Sequence, residues 1–164
     1  MVKKYILDKA LAGRKLERMA LEIAERNTDA QHIVLAGIRE SGSVMAAKLL
    51  PMLQKVFSGK TDLVQVLLDK KMPDTVTIDP ITDFNNKVVI IVDDVANSGK
   101  TMTYAIKPFL NFWPQKIQTL VLVERTHKAF PISADYVGLS IATTLQEHIF
   151  VETEGEEIVG AYLL

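Results

Sequence analysis

No cysteine occurs among the 164 residues of the sequence. Disulfide bonds, thiol catalysis and metal sites with cysteine ligands are therefore excluded. The sequence also lacks a run of eighteen apolar residues, which predicts that no segment spans a membrane. Its beginning, MVKKYILDKALAGRK, lacks the apolar core of a signal peptide. We therefore expect a cytoplasmic protein.

An excess of charge of either sign is missing as well, since 19 basic and 20 acidic residues leave a net charge of −1. Bulk electrostatics therefore do not indicate a nucleic-acid-binding protein. A chain of this length can bury one sizeable core, and we expect a single domain over residues 1–164. Residues 1–18 are rich in lysine and arginine and residues 147–157 carry five glutamates. Such runs are typical of solvated faces.

The most informative stretch is KVVIIVDDVANSGKTMT, residues 87–103. The unbroken β-branched run over residues 88–92 predicts a strand buried on both faces of a parallel sheet. Two carboxylates, Asp93 and Asp94, follow at the edge where open α/β sheets bind ligands. A small polar loop and a helix come next, with Thr101 or Thr103 as the expected N-cap.

The loop and the carboxylates suit different parts of one ligand. Backbone N–H groups at the start of a helix, with hydroxyl groups nearby, favour a phosphate. Asp93 and Asp94 repel a phosphate and instead suit hydroxyl groups or a divalent cation. A ribose 5-phosphate offers both parts. The residues expected to bind its phosphate are Val95, Ala96, Asn97, Ser98, Gly99, Lys100 and Thr101.

Two other interpretations of this stretch are open. The tetrapeptide at residues 98–101 matches the end of a P-loop, but Asp94 occupies the position of the first P-loop glycine, where phosphates approach. The second interpretation is an ordinary strand-to-helix turn. Such turns rarely combine two carboxylates with a run of small and hydroxyl-bearing residues.

A second strand–loop–helix unit precedes the acidic one. An apolar strand over residues 32–36 leads into the loop Gly37-Ile38-Arg39-Glu40-Ser41-Gly42, and a helix is expected over residues 43–57. Glycines at both ends of a loop allow the backbone to approach an anion closely, with Arg39 as the accompanying cation. Further strands are expected over residues 62–68, 75–78, 116–123, 134–138, 147–151 and 157–164, and further helices over residues 8–27 and 102–112.

The stretch VVIIVDDVANSGKT resembles the phosphoribosyl-pyrophosphate (PRPP) motif of the type I phosphoribosyltransferases. In that family a hydrophobic strand precedes two acidic residues, and a hydroxyl–Gly–x–Thr loop binds the 5-phosphate. The resemblance implies an α/β fold with a mostly parallel central sheet flanked by helices, and a small hood built from the termini and from residues 64–80. It also implies that residues 37–42 form the pyrophosphate loop and that Asp93, Asp94 and Arg39 are catalytic. Mg²⁺ is the implied cofactor, held through ribose hydroxyls or water rather than directly by protein ligands.

The second half, LVERTHKAFPISADYVGLSIATTLQEHIFVE, is similar to one subgroup, the pyrimidine-operon attenuation regulators that are also uracil phosphoribosyltransferases. This similarity implies a base pocket formed by Tyr136, Val137 and Gly138. It also implies a flexible loop over residues 69–74, in which Lys70 and Lys71 face the departing pyrophosphate.

The chain departs from the subgroup at particular positions. Glu40 and Ser41 stand where the family has Thr-Arg, and Leu139 replaces a lysine after the pocket glycine. The flexible loop carries Lys70 and Lys71 in place of a Tyr-Arg-Asp-Asp segment. These departures leave the PRPP motif intact and alter the pyrophosphate loop, the flexible loop and the surface that would face RNA.

The resemblance implies transfer of the phosphoribosyl group of PRPP to a nucleobase, with uracil favoured, to give a nucleoside monophosphate and pyrophosphate. Two alternatives are open: an RNA-binding regulator of pyrimidine genes that senses PRPP or nucleotide with little catalysis, and a purine phosphoribosyltransferase. A homodimer is implied by the family, and RNA is a partner in the regulator alternative only. His127 could contact RNA, contact a partner subunit or cap its strand.

Overall fold

The computed structural model describes residues 2–144 and 146–164 of the chain. The elements, in chain order, are β1 (Lys4–Asp8), α1 (Lys9–Arg26), β2 (His32–Ile38), α2 (Ser41–Gln54), β3 (Lys60–Leu67), β4 (Thr77–Asp79), β5 (Val88–Ala96), α3 (Lys100–Ile106), a 3₁₀ helix (Lys107–Asn111), β6 (Lys116–Arg125), β7 (Tyr136–Ile141), β8 (Ile149–Glu154) and β9 (Glu157–Leu163). None of the described helices is long and apolar enough to cross a membrane.

A six-stranded sheet in the order β4-β3-β2-β5-β6-β7 forms the centre of the fold. All neighbouring pairs are parallel except β3 and β4, which are antiparallel. Helices α1 and α2 cover one face, where Leu35 and Ile90 join their core, and α3 and the 3₁₀ helix cover the other, where Val89 packs near Phe109. The predicted α/β architecture, a mostly parallel sheet between helices, is confirmed.

Strand β5 lies in the middle of this sheet because its side chains are apolar in both directions. Residues 88–92 are fully buried, with 0% exposure, and alternate between the two cores. Neighbours β2 and β6 hold the strand on both edges. The carboxyl end of β5 is therefore positioned by a strand that is paired on both edges as far as Val92 and with β6 as far as Ala96.

The hood is a separate three-stranded antiparallel sheet in the order β1-β9-β8. The two termini supply it, as predicted, although β1 was not among the predicted strands. Residues 64–80 were wrongly expected to contribute, because β3 and β4 are hydrogen-bonded into the central sheet instead. The inner face of the hood, including Leu7, Ile149 and Ile158, packs on the core that α1 and α2 also cover.

Helix ends match the predictions unevenly. Asp8 caps α1 by accepting a hydrogen bond from the Leu11 N–H at 2.7 Å, and Asn27 follows the last turn, as expected. Helix α2 begins at residue 41, two residues before its expected start. The residue expected to cap α3 was Thr101 or Thr103, but the cap is Gly99 in a left-handed conformation, with φ of +83°.

Strand β7 also differs from expectation. The predicted strand ended in a turn at Gly138, whereas the observed one continues to Ile141. Gly138 is required by close packing between strands, since a Cβ at this position would lie 2.4 Å from the Leu122 carbonyl oxygen.

Candidate active site at the carboxyl edge of the sheet

The acidic pair lies near the carboxyl end of the central strand, just before β5 ends at Ala96. Asp93 is 2% exposed and its Oδ1 accepts the N–H of Asp94 at 2.9 Å. Asp94 is more accessible, and its Oδ1 accepts the N–H of Val95 at 2.8 Å. Burial, reinforced by the neighbouring Asp94 charge, raises the pKa of Asp93 well above its usual range. When it is ionised, a buried carboxylate of this kind is a strong acceptor for a donor that reaches it.

A lysine reaches the acidic pair from the segment between β3 and β4. The Lys70 Nζ lies 3.2 Å from Asp93 Oδ1, 3.5 Å from Asp93 Oδ2 and 3.8 Å from Asp94 Oδ1. Burial pulls the pKa of Lys70 down, but the charges of Asp93 and Asp94 outweigh it, so that the pKa is raised overall. Lys71, the other predicted cation of this segment, is exposed and its backbone N–H donates to Asp69 Oδ1.

The loop after β5 turns sharply at Gly99. A Cβ at this position would lie 2.6 Å from Ile132 Cγ2, and the left-handed φ independently favours glycine. The turn is fixed from outside, because the carbonyl oxygen of Ser98 accepts the N–H groups of Ala129 and Phe130, both at 3.0 Å. It is fixed from inside by the Thr103 hydroxyl, which donates to the Gly99 carbonyl oxygen at 2.7 Å.

The loop of residues 37–42 is packed directly against the acidic pair. Gly42 lies so close that a Cβ there would meet the Val92 carbonyl oxygen at 2.5 Å and Asp93 Oδ1 at 3.3 Å. The Arg39 N–H donates to the Val66 carbonyl oxygen at 3.1 Å, while its side chain is exposed beside Glu40. The peptide bond between Arg39 and Glu40 is cis. The predicted pyrophosphate loop and the predicted ribose site are thus adjacent in space.

The acidic pair, Lys70 and the loop after β5 line one hollow of about 380 Å³, whereas residues 37–42 pack beside it and do not form part of its wall. Its walls contain both carboxylates, Lys70, and all seven residues predicted to bind the 5-phosphate, residues 95–101. Opposite them lie Ile149, Phe150 and Val151 of β8. The hood strand was not a predicted site element, and only its position in the fold shows that it closes the hollow.

Comparison with known proteins identifies the family of the chain. A model of the phosphoribosyl transferase domain matches residues 3–156. The chain belongs to the phosphoribosyltransferase family. The bifunctional protein PyrR of Macrococcus caseolyticus is 36% identical over 160 residues, which cover 92% of each chain. The bifunctional protein PyrR of Clostridium acetobutylicum is 36% identical over an alignment of 176 positions, which covers 99% of each chain. The family and subgroup expected from the sequence are therefore confirmed.

Solved structures of other phosphoribosyltransferases share the fold. The hypoxanthine phosphoribosyltransferase of Trypanosoma cruzi matches with a TM-score of 0.79, covering 96% of this chain and 95% of that one at 18% identity. A hypoxanthine-guanine phosphoribosyltransferase of Bacillus anthracis matches with a TM-score of 0.70 at 22% identity, covering 86% and 84%. At such identities the likeness concerns the architecture alone.

The structure does not bring the predicted base-pocket residues to this phosphoribosyltransferase hollow. The Tyr136 ring is fully buried beneath α1, and its hydroxyl donates to Gln118 Oε1 at 2.8 Å and accepts from Asn27 Nδ2 at 3.1 Å. The Val137 carbonyl oxygen accepts from Arg18 at 2.9 Å. These contacts stabilise the packing of α1 on the sheet, and Tyr136, Val137 and Gly138 do not line the hollow.

A second hollow, of about 670 Å³, adjoins the first through Asn97 and Ser98. Three basic side chains line it: Arg125, His127 and Lys128. The Lys128 Nζ pairs with the buried carboxylate of Glu124 at 2.5 Å. His127 lines this second hollow together with Asn97 and Ser98 of the predicted phosphate loop, whereas the acidic pair lines the first hollow.

Proposed function

We propose that the protein transfers the 5-phosphoribosyl group of PRPP to a nucleobase and releases pyrophosphate, with uracil as the favoured base. The observation that carries the proposal is the single hollow in which a buried acidic pair faces a fixed loop of small residues, with the glycine-bounded loop of residues 37–42 alongside. The names of the PyrR relatives describe bifunctional proteins and support a second role beside the transfer.

In this proposal the ligand lies along the hollow with its phosphate in residues 95–101 and its ribose hydroxyls on Asp93 and Asp94. Carboxylates accept hydrogen bonds from hydroxyl groups without the repulsion that a phosphate would meet there. The pyrophosphate then lies toward residues 37–42, next to Gly42. The bond from ribose C1 to the pyrophosphate oxygen breaks, and a bond from C1 to a ring nitrogen of the base forms. The proton of that ring nitrogen passes to the released pyrophosphate or to water.

Mg²⁺ fits this donor set because it prefers carboxylate, phosphate and water oxygens. Among the described residues no group of three or more His, Asp or Glu side chains could hold a metal alone. Oxygens of the ligand would therefore hold it, with Asp93 and Asp94 acting through ribose hydroxyls or water. When bound, Mg²⁺ neutralises charge on the departing pyrophosphate.

The deciding experiment is isothermal titration of the protein with PRPP and Mg²⁺, followed by uracil and an assay for UMP and pyrophosphate. Binding with formation of both products supports the enzyme. The double variant Asp93→Asn, Asp94→Asn should remain folded and lose PRPP binding, because both ribose acceptors lose their charge. Unchanged PRPP affinity in that variant would contradict the proposed site. Parallel assays with purine bases test the purine alternative.

A second candidate function, RNA binding by a regulator, is favoured by the basic hollow around Arg125, His127 and Lys128. Binding through these side chains to phosphates predicts an RNA affinity that falls steeply with salt. Titration of a single-stranded RNA into the protein at 50 and 200 mM salt tests it. An affinity that does not depend on salt, or no binding at either concentration, would remove this candidate.

A further inference from the structure

The ammonium group of Lys70 lies where the ribose of the proposed ligand would bind. Of the residues that connect β3 to β4, numbers 68–76, Lys70 alone lines the hollow. Its Nζ is within 3.5 Å of both carboxylate oxygens of Asp93. Its neighbours Lys71 and Met72 are exposed, and Met72 retains 71% of its accessible surface. The connecting segment therefore touches the acidic pair through one ammonium group.

We propose that Lys70 is an internal competitor of the sugar, occupying Asp93 and Asp94 in the ligand-free protein and leaving them when ribose hydroxyls bind. The inference rests on the proposed function and adds two consequences of ligand binding: an energetic cost and a structural signal. The cost is the broken contact between Lys70 and the acidic pair. The signal is the release of the connecting segment, which loses its one attachment to the hollow.

The competition follows from the geometry of the acceptors. Asp93 is buried, and its Oδ1 already accepts the N–H of Asp94, so few directions remain open for another donor. The ammonium of Lys70 lies across both Asp93 oxygens and near Asp94 Oδ1. Ribose hydroxyls would need the same open directions. The ammonium and the ribose hydroxyls therefore exclude each other.

The electrostatics explain why the lysine is held when no ligand is bound. Two adjacent carboxylates repel each other, and the buried one has lost most of its hydration. A nearby ammonium reduces both penalties, and the raised pKa of Lys70 reflects that attraction. The side chain is 44% exposed, so water weakens the contact and allows it to open.

The first test compares Lys70→Met with Lys70→Arg and with Lys55→Met, which removes one exposed charge far from the hollow. The probe is ribose 5-phosphate with Mg²⁺, because it lacks the pyrophosphate that the released lysine could contact. Titrations are made at pH 8.5, because the raised pKa of Asp93 leaves its carboxyl group more fully ionised at higher pH. Lys70→Met should bind ribose 5-phosphate roughly fivefold more tightly than wild type, the factor expected for a partly exposed ion pair. Lys70→Arg and Lys55→Met should bind within twofold of wild type.

The second test uses trypsin, which must take the lysine side chain into its own pocket before it cuts. Cleavage after Lys70 therefore requires that this ammonium has left the acidic pair, whereas the exposed Lys71 is an internal reference. Mass spectrometry distinguishes the two cuts. Ribose 5-phosphate should raise the ratio of cleavage after Lys70 to cleavage after Lys71 severalfold in the wild-type protein.

Two results would overturn the inference while leaving the proposed function in place. One is wild-type binding of ribose 5-phosphate that Lys70→Met leaves unchanged or weakens. The other is a cleavage ratio that ribose 5-phosphate does not raise. Failure of the wild-type protein to bind either PRPP or ribose 5-phosphate would instead overturn the proposed function, and the competition with it.

Discussion

Replacing Gly42 with alanine tests whether close packing between two loops positions the acidic pair. The new Cβ would lie 2.5 Å from the Val92 carbonyl oxygen and 3.1 Å from the Asp93 Cα. Both are backbone atoms of β5, which is held by strands on either side and cannot shift easily. The start of α2 must therefore retreat by roughly 0.5–1 Å to restore an ordinary contact.

The expected cost of this overpacking is about 1–3 kcal/mol of unfolding free energy, reduced by up to about 1 kcal/mol because alanine favours a helix more than glycine does. Gly13→Ala is the matched control, since no atom within 4 Å would meet the added Cβ in the middle of α1. That variant should be more stable than wild type by roughly 0.5–1 kcal/mol.

Two measurements decide the outcome for Gly42→Ala. Urea unfolding followed by circular dichroism gives the change in free energy, and titration with PRPP and Mg²⁺ gives the affinity. We expect PRPP affinity to fall on the order of tenfold or more, because the loop of residues 37–42 and the carboxylates no longer share one geometry. A variant that is as stable as Gly13→Ala and binds PRPP like wild type would refute the reasoning from packing.

Two further predictions concern buried polar groups. Because burial and the neighbouring Asp94 raise the pKa of Asp93, the folded protein binds a proton there more tightly than the unfolded chain does. The contribution of Asp93 to stability therefore falls as pH rises from about 4 toward the folded-state pKa. The unfolding free energy of Asp93→Asn, relative to that of wild type, should therefore increase as pH rises through that window. Urea unfolding at several pH values measures this difference. A difference that stays constant or decreases with pH would contradict a raised pKa for Asp93. Tyr136→Phe should cost about 1–2 kcal/mol through its lost hydrogen bonds with Asn27 and Gln118, with an unchanged KM for uracil. A raised KM with unchanged stability would instead support the predicted base pocket.

The sequence was sufficient for the parts of the site that follow one another in the chain. Residues 88–101 combine a buried strand, two carboxylates and a small loop, and each feature has a local cause: β-branched side chains, the strand end and the left-handed turn at Gly99. The hollow contains all seven predicted loop residues for that reason. Local chemistry and local structure agree here, and the distant contacts from Ala129 and Phe130 to the Ser98 carbonyl oxygen only hold the turn in place.

Contacts between distant segments could not be predicted in the same way. The closure of the hollow by Ile149 and Phe150 depends on the hood, which pairs β1 with β9 across almost the whole chain. The placement of Tyr136 under α1 depends on Asn27 and Gln118, which are far apart in sequence. An apolar run with a tyrosine fits a buried strand and a pocket wall equally well, so only the register of the folded sheet separates them.

The acidic pair links the stability of this fold to its activity. A carboxyl group that is 2% exposed beside a second one lowers the stability of the folded state at neutral pH, and an apolar pair would pack there without that cost. The surrounding contacts limit the penalty without removing it: the Asp94 N–H and the Lys70 ammonium compensate Asp93 in part. Nothing in the packing of β5 requires the charge, since its contacts with both cores come from the apolar residues 88–92, Val95 and Ala96. The charge therefore makes physical sense only together with a ligand that supplies hydroxyl groups or a cation. For this reason Asp93→Asn should become more stable while, in the double variant, PRPP binding is lost.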